Sequence, residues 1–270
     1  MIGRSEKVLG YAILIVFAVI VLVPVVMLIL TALSPLANGQ ITLGDLQWGN
    51  FAAAWQQSDF GSHVMLSVVL AVSVTAATVV ITPLAAYGIG ILKVPGHRLL
   101  FFLFIAGIMI PLEGILVPLY FTMRTLPFAS TIGALIVAQI GLSVSFGVFW
   151  MRAAMTAIPP SLLESGSLDG AGSFRTLWSI VLPLVLPALT TLALLTFMWV
   201  WNDYFLAFVL INNPDQLPVT VTLGDFTTKY STQINLMSAC AVLVALPVVI
   251  LYLAFQRQFI SGILSGALKG

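Results

Sequence analysis

Residues 158–187 read IPPSLLESGSLDGAGSFRTLWSIVLPLVLP. No other part of the chain packs turn residues and charge so tightly, and long apolar segments flank it on both sides. Pro159 and Pro160 end the helix before them, because the residue ahead of a proline is pushed out of the α region. Ser161 followed by Glu164 has the spacing of a capping box, in which the serine closes the first turn and the acid reaches back to its amide. That spacing predicts a short helix to about Leu168. Asp169-Gly170 then predicts a turn in which glycine takes a positive φ. A second helix starts near Ser173 and enters the next apolar segment at Pro183. The product is a helix–turn–helix with Leu162, Leu163 and Leu168 as apolar anchors. A helix set into a groove is a common recognition mode. The same capping chemistry suits an interfacial amphipathic loop with no partner equally well.

Charged residues make up 7% of the 270 positions and hydrophobic ones 60%. A soluble domain carries about 25% charged residues, so this surface needs lipid or partner subunits. A net charge of +1 argues against nucleic acid as a partner, since such binders show a basic face. Cys240 stands alone in an apolar run. It supports no disulfide, zinc site or redox pair, and it reads as a small buried residue in a helix.

Six charge-poor stretches are long enough to cross a bilayer, which takes about 20 apolar residues. They run over 9–33, 64–92, 99–121, 132–151, 182–210 and 236–255. No small-residue cleavage site follows the first at the right distance, so it is expected to be an anchor and not a signal peptide. Pro24, Pro83, Pro111 and Pro118 fall inside spans, where prolines are tolerated as kinks.

With the N-terminus inside, Arg4, Lys7, Lys93, Arg98, Arg152, Arg175, Arg257 and Lys269 share the inner side, and only Arg124 and Lys229 lie outside. The opposite orientation would break the positive-inside rule. Both termini are therefore expected in the cytoplasm, with 153–181 as an inner loop and 34–63 and 212–235 as outer loops. The last opens on Asn-Asn-Pro-Asp, a turn signal. Asp45, Asp59, Asp215 and Asp225 make the outer loops mildly acidic. Trp150 and Trp178 are expected at the inner interface, Trp199 and Trp201 towards the outer one, as in aromatic belts.

Glu113 and Asp203 are the two acids within spans. An ionisable group there is costly and points to function. Counting from Leu99, Glu113 falls about 21 Å along a straight helix, in the outer half. Asp203 is expected in the outer half as well, beside Trp201 and Tyr204. Carboxylates accept hydrogen bonds from sugar hydroxyls, and aromatic faces stack on sugar C–H faces. A helix-end cap or a structural pair would also explain either acid. Gln139, Ser143 and Ser145 in the fourth span are secondary candidates, since polar residues in spans often join helices.

None of the four lysines follows glycine and precedes Ser or Thr, so the chain has no P-loop. It also lacks G-x-S-x-G and H-E-x-x-H, which counts against a membrane-embedded hydrolase. A secondary transporter would usually show internal repeats and more intramembrane charge, and it would not need the Asp-Gly loop. No catalytic or metal-binding residue is expected.

Glu164-Ser165-Gly166, then Asp169-Gly170-Ala171, then Ile180-Val181-Leu182-Pro183 and Pro187 resemble the EAA loop of ABC-importer permeases. The pattern departs at Ser165 and Gly166, where the family has two alanines. Small residues there keep a docking face smooth. Ile110-Pro111, Glu113, Pro118-Leu119-Tyr120 and Thr131 are similar to the third-helix segment of the carbohydrate-importer, maltose-type branch. Trp201-Asn202-Asp203-Tyr204 with Ala207 and Leu217-Pro218-Val219 is similar to that branch's fifth-helix exit. Phe255-Gln256-Arg257, Gly262, Gly266-Ala267 and Lys269-Gly270 are similar to its C-terminal tail. The resemblance covers the chain from about His63 to its end.

This resemblance implies an all-α polytopic membrane protein with six transmembrane helices and the type I ABC importer permease fold. It divides the chain into an anchor helix and outer loop (1–62), a core (63–258) holding the coupling loop, and a tail (259–270). It implies a pore-forming subunit of an ATP-driven sugar importer in a bacterial inner membrane, working by alternating access. The implied partners are a second homologous permease, two ATPase subunits, an external sugar-binding protein and membrane lipid. No cofactor is bound directly, and ATP and Mg belong to the ATPase. Glu164, Ser165, Gly166, Asp169, Gly170, Ala171 and Gly172 are the implied ATPase-coupling residues. Glu113, Trp201, Asn202, Asp203 and Tyr204 are the candidate substrate path.

Overall fold

The structure is a computed structural model that describes residues 4–41, 44–127, 129, 131–227 and 231–267. Lys229, Lys269 and Gly270 lie outside the described residues, as do the side chains of Arg4, Gly262 and the rest of the 258–270 tail. The helices are α1 (Arg4–Ala32), α2 (Gly49–Gln57), α3 (Phe60–Gly90), α4 (His97–Met109), α5 (Leu112–Arg124), α6 (Ile132–Thr156) and α7 (Pro160–Leu168). They continue as α8 (Ser173–Thr176), α9 (Leu182–Asn202), α10 (Phe205–Leu210) and α11 (Ile234–Ala267). Two 3-10 turns, Pro214–Gln216 and Val221–Phe226, shape the segment before α11. No strand occurs among the described residues, only an isolated bridge between Thr227 and Thr232. Among the described residues five helices are long and apolar enough to cross a membrane, and the bent pair α4–α5, taken as one span, makes six.

The chain folds as two compact units. One comprises residues 1–62 and 222–247. Its α1 is apolar all round and none of its span window is buried, with large side chains exposed from Val8 to Ile29. A helix of this kind is satisfied by lipid or by another subunit. Beyond it, side-chain amides hold the chain. Asn50 Nδ2 donates to the carbonyls of Ala32 (2.9 Å) and Ser34 (2.8 Å), and Asn235 Nδ2 donates to the Ser34 carbonyl (3.2 Å). The Ile234 amide donates to the Ala37 carbonyl at 2.8 Å. Gly39 has φ +73°, and any Cβ there would press into Thr31 and Ile234. Cys240 is buried and free. The expected outer loop 34–63 thus contains a helix, α2, that sequence reasoning did not find. Its Gly49-Asn50 start and short apolar stretch hid it.

The second unit comprises residues 63–221 and 248–270. Its core gathers Ala86 and Tyr87 of α3, Met151 and Met155 of α6, and Leu177, Val181, Val185 and Leu192 of the helix that follows the Asp-Gly loop. Small residues let these helices approach. A Cβ on Gly147 would run into Thr82, and one on Gly107 would lie 2.6 Å from Ser145 Oγ. This is how membrane helices pack when lipid offers no hydrophobic drive between them.

Two expected spans are not continuous helices. The third, 99–121, breaks at Ile110–Pro111, and its halves meet at 102°. Ile110 is extended, with φ −77° and ψ 120°. A proline removes one amide donor and clashes with the preceding turn. Gly107 and Gly114 on either side add two weak helix formers. Pro24, Pro83, Pro118, Pro187 and Pro247 lack that flanking pair and stay inside their helices. The fifth span, 182–210, ends its long helix at Asn202 and restarts as α10. At its other end it is longer than expected. Ser173–Asn202 is a single run of 30 residues. It includes a π-turn, Leu177–Val181, where the Leu182 amide reaches back to the Leu177 carbonyl. Pro183 explains the turn, because it cannot donate and its ring crowds the carbonyl four residues earlier.

Candidate functional site: the Asp-Gly loop and the cavity at Asp203

The loop begins at Pro159, an extended N-cap, with Pro160 as the first helical residue. The expected capping box is absent: no side chain caps α7. The helix starts two residues earlier than the box required, since Pro160 has no amide to satisfy and its φ is already helical. Ser161 instead accepts, through its carbonyl, a hydrogen bond from Ser165 Oγ at 2.8 Å. The C-terminus of α7 is closed by backbone alone. The Gly170 amide donates to the Ser167 carbonyl (3.1 Å) and the Ala171 amide to the Gly166 carbonyl (3.0 Å). Gly170 sits between them at φ +75°. This is a Schellman closure with glycine at the left-handed position. Gly172 then leads into α8 from an extended conformation.

Glu164, Ser165, Asp169, Gly170 and Gly172 are exposed, Ala171 is half-buried and Gly166 is buried. Gly166 packs inward, where a Cβ would lie 2.5 Å from Ile180 Cδ1. It therefore does not smooth an outer docking face. It lets α7 lie close on the π-turn. Leu163 also turns inward, against the core. The outward apolar groups are Leu168 (88% exposed) and Phe174 (73% exposed), with Leu162 partly so. Phe174 and Trp178 pair at 5.9 Å. Sequence reasoning placed Trp178 at an interface but missed Phe174, although its i, i+4 spacing from Trp178 was there to be read.

At the far end of the same long helix lies a cavity of about 190 Å³. Gln139, Ser143 and Phe146 of α6, Trp199 of α9, Asp203 and Leu112 of α5 line it. Asp203 occupies the break between α9 and α10. Its carboxylate accepts from Gln139 Nε2 at 2.9 Å and from the amides of Leu206 (3.4 Å) and Ala207 (3.3 Å). Its carbonyl accepts from Thr220 Oγ1 at 2.8 Å. It is thus both a helix-end cap and a polar wall of the cavity. Gln139 is 4% exposed and its Oε1 has no partner. Phe146 and Trp199 meet edge to face at 4.9 Å.

The other sequence candidates lie elsewhere. Glu113 is exposed in the first turn of α5, next to the 102° bend, so its distance along a straight helix no longer applies. Trp201 is 2% exposed and stacks on Phe197 at 5.7 Å. It is not at a lipid interface. Two residues along a helix turn the side chain by about 200°, which is why Trp199 faces the cavity and Trp201 does not. Asn202 is exposed and donates to the Met198 carbonyl at 2.7 Å. Tyr204 stacks on Phe208 at 5.6 Å. Trp150 is half-buried and donates to the Ala188 carbonyl at 2.9 Å, so it joins two helices.

The family described as binding-protein-dependent transport system inner membrane component matches residues 86–264. The chain belongs to that family. It is similar to the probable starch degradation products transport system permease protein AmyC of Thermoanaerobacterium thermosulfurigenes, at 32% identity over 81% of this chain and 78% of AmyC. It is similar to the trehalose transport system permease protein SugB of Mycobacterium tuberculosis, at 27% identity over 97% and 94%. The diacetylchitobiose uptake system permease protein NgcG of Streptomyces coelicolor is 24% identical over 98% and 90%. Among solved structures, a bacterial ABC transporter involved in import of the acidic polysaccharide alginate superposes with TM-score 0.81, at 22% identity over 96% of this chain and 99% of that one. The chain therefore has the type I importer permease fold and is a multi-pass permease of the ABC transporter class.

Proposed function

We propose that this chain is one half of the pore of an ATP-driven carbohydrate importer in a bacterial inner membrane. One observation carries the reading furthest. The Ser173–Asn202 helix has the exposed Asp-Gly loop at its start and the Asp203 cavity at its end. Residues 164–172 dock into an ATPase subunit, with Leu168 and Phe174 as the groups that enter its groove. ATP and Mg stay on that subunit, and two ATPases, a second homologous permease and an external sugar-binding protein complete the assembly. Both termini lie in the cytoplasm. ATP binding closes the ATPases, the loop moves with them, and the pore opens outward. Hydrolysis resets it to face inward. Coupling needs an element with two states that both sites bias, and the helix bundle supplies it.

The substrate path includes Asp203, with Gln139 and Ser143 offering polar contacts and Phe146 and Trp199 offering faces for sugar C–H groups. Glu113 reaches the path from the open side of the bend, and Trp201, Asn202 and Tyr204 hold the segment around Asp203. The relatives named for starch products, trehalose and diacetylchitobiose support a carbohydrate as the solute. The test is uptake of a panel of labelled saccharides by the assembled complex. Saturable ATP-dependent uptake of at least one is expected, and uptake of none would overturn the substrate class. Orientation is tested in cells with an impermeant thiol reagent and a chain lacking Cys240. A cysteine at Arg124 should label and one at Lys93 should not; the reverse pattern rejects the topology.

A further inference from the structure

Tyr87 carries a buried hydroxyl that neither the cavity nor the loop tip uses. It lies near the end of α3, 5% exposed, with its ring in the core beside Met151, Leu177 and Val181. Its Oη donates to the Ser173 carbonyl at 2.9 Å. Ser173 is the first residue of α8, three positions after Gly170. Its carbonyl already accepts the Leu177 amide of its own helix. The phenol is thus not needed to satisfy the helix end; its bond joins two elements far apart in sequence. The π-turn begins four residues later, at Leu177. Such turns are irregular points at which a helix gives. The tie therefore lies on the loop side of that turn.

We propose that Tyr87 is a positioning residue for energy coupling: its hydroxyl ties the first turn of α8 to α3, so a displacement of residues 164–172 carries both helices instead of being absorbed in the π-turn. This rests on the reading of 164–172 as the ATPase-docking element. Tyr87→Phe keeps the ring in the core and leaves the Ser173 carbonyl its helical partner, so the fold is retained. Losing one neutral hydrogen bond shifts an equilibrium about fivefold.

The experiment uses the assembled complex in proteoliposomes and measures ATP hydrolysed per sugar imported. In Tyr87→Phe that ratio should rise about fivefold, with complex yield and subunit composition as in the parent. A second readout is the distance distribution between spin labels on cysteines at Leu92 and Ser167 in a complex lacking Cys240. It should broaden in Tyr87→Phe, which a merely packing role of the ring would not produce. An unchanged ratio, or an unchanged distribution, in Tyr87→Phe beside an uncoupled Gly170→Val complex overturns the tie. Normal import by Gly170→Val itself overturns the docking reading beneath it.

Discussion

The two ends of the Ser173–Asn202 helix are built in opposite ways. At its start, the loop is closed by backbone bonds between residues three to five apart, Gly170 to Ser167 and Ala171 to Gly166. At its end, Asp203 is held by Gln139, 64 residues away, and holds Thr220, 17 residues on. The segment beyond it is pinned in the same long-range manner: His63 Nδ1 to the Leu217 carbonyl at 2.7 Å, and the Val219 amide to Ser67 Oγ at 2.8 Å. The loop tip is closed locally, and its base is tied to α3 by the Tyr87 bond to Ser173. The other end is a junction of several helices that responds when any of them shifts. A local motif suits a docking element, and a shared junction suits a gated cavity.

The largest expected effect breaks the local end. Gly170→Val forces a β-branched residue to φ +75°, where even unbranched residues lose about 1–2 kcal/mol. ATP-driven uptake should fall tenfold or more while the variant reaches the membrane in normal amount. Gly170→Asn, which tolerates that conformation, should retain most uptake. Equal loss in both variants would mean the loop responds to side-chain bulk and not to backbone closure.

At the junction, Asp203→Ala removes the cap of α10 and leaves Gln139 buried without its partner. Loss of a cap typically costs about 1 kcal/mol, and an orphaned buried amide adds about 1–3 kcal/mol. Membrane abundance should drop visibly by immunoblot. Asp203→Asn keeps one of the two acceptor oxygens that serve the Leu206 and Ala207 amides, so abundance should fall less than in Asp203→Ala while uptake slows several-fold. Normal uptake at normal abundance across the saccharide panel would leave Asp203 as a structural cap alone.

Thr220→Val removes one neutral hydrogen bond to the Asp203 carbonyl, worth about 1 kcal/mol. A modest fall in the melting temperature of the purified permease should result, with a smaller loss of uptake than in Asp203→Asn. The smallest effect belongs to Glu113→Gln. An exposed group away from packing changes stability by within about 0.5 kcal/mol, so abundance should not move. A reduced uptake in that variant would place Glu113 on the path; an unchanged one would leave it as a favourable acid at the start of α5.

Much of the architecture was legible in residue order because its causes are local. Runs of apolar residues must find lipid or protein, so the spans could be counted from composition and length alone. The turn at Gly170 was legible for the same reason, since a positive φ is a property of one residue. The α7 start was misread because Ser161 and Glu164 fit a box that Pro160, one residue earlier, made unnecessary. The break at Pro111 was read as a kink, because a single proline does not say whether its neighbours can restore the helix. The cavity could be reached only halfway. Asp203 stood out as an acid in a span, and Gln139, Ser143 and Phe146 share one face of α6 by spacing.

By itself, then, the sequence determined that the chain crosses a membrane about six times, that a glycine turn caps a short surface helix, and that its two acids within spans sit in the third and fifth. The tertiary structure alone decided which of two tryptophans faces the cavity, that Gly166 lies inward on Ile180, and that Asp203 answers to Gln139 and Thr220 while Tyr87 answers to Ser173. These contacts join segments tens of residues apart. Their geometry depends on how closely neighbouring helices approach, which Gly107, Gly147 and Gly166 permit only once the helices are packed together.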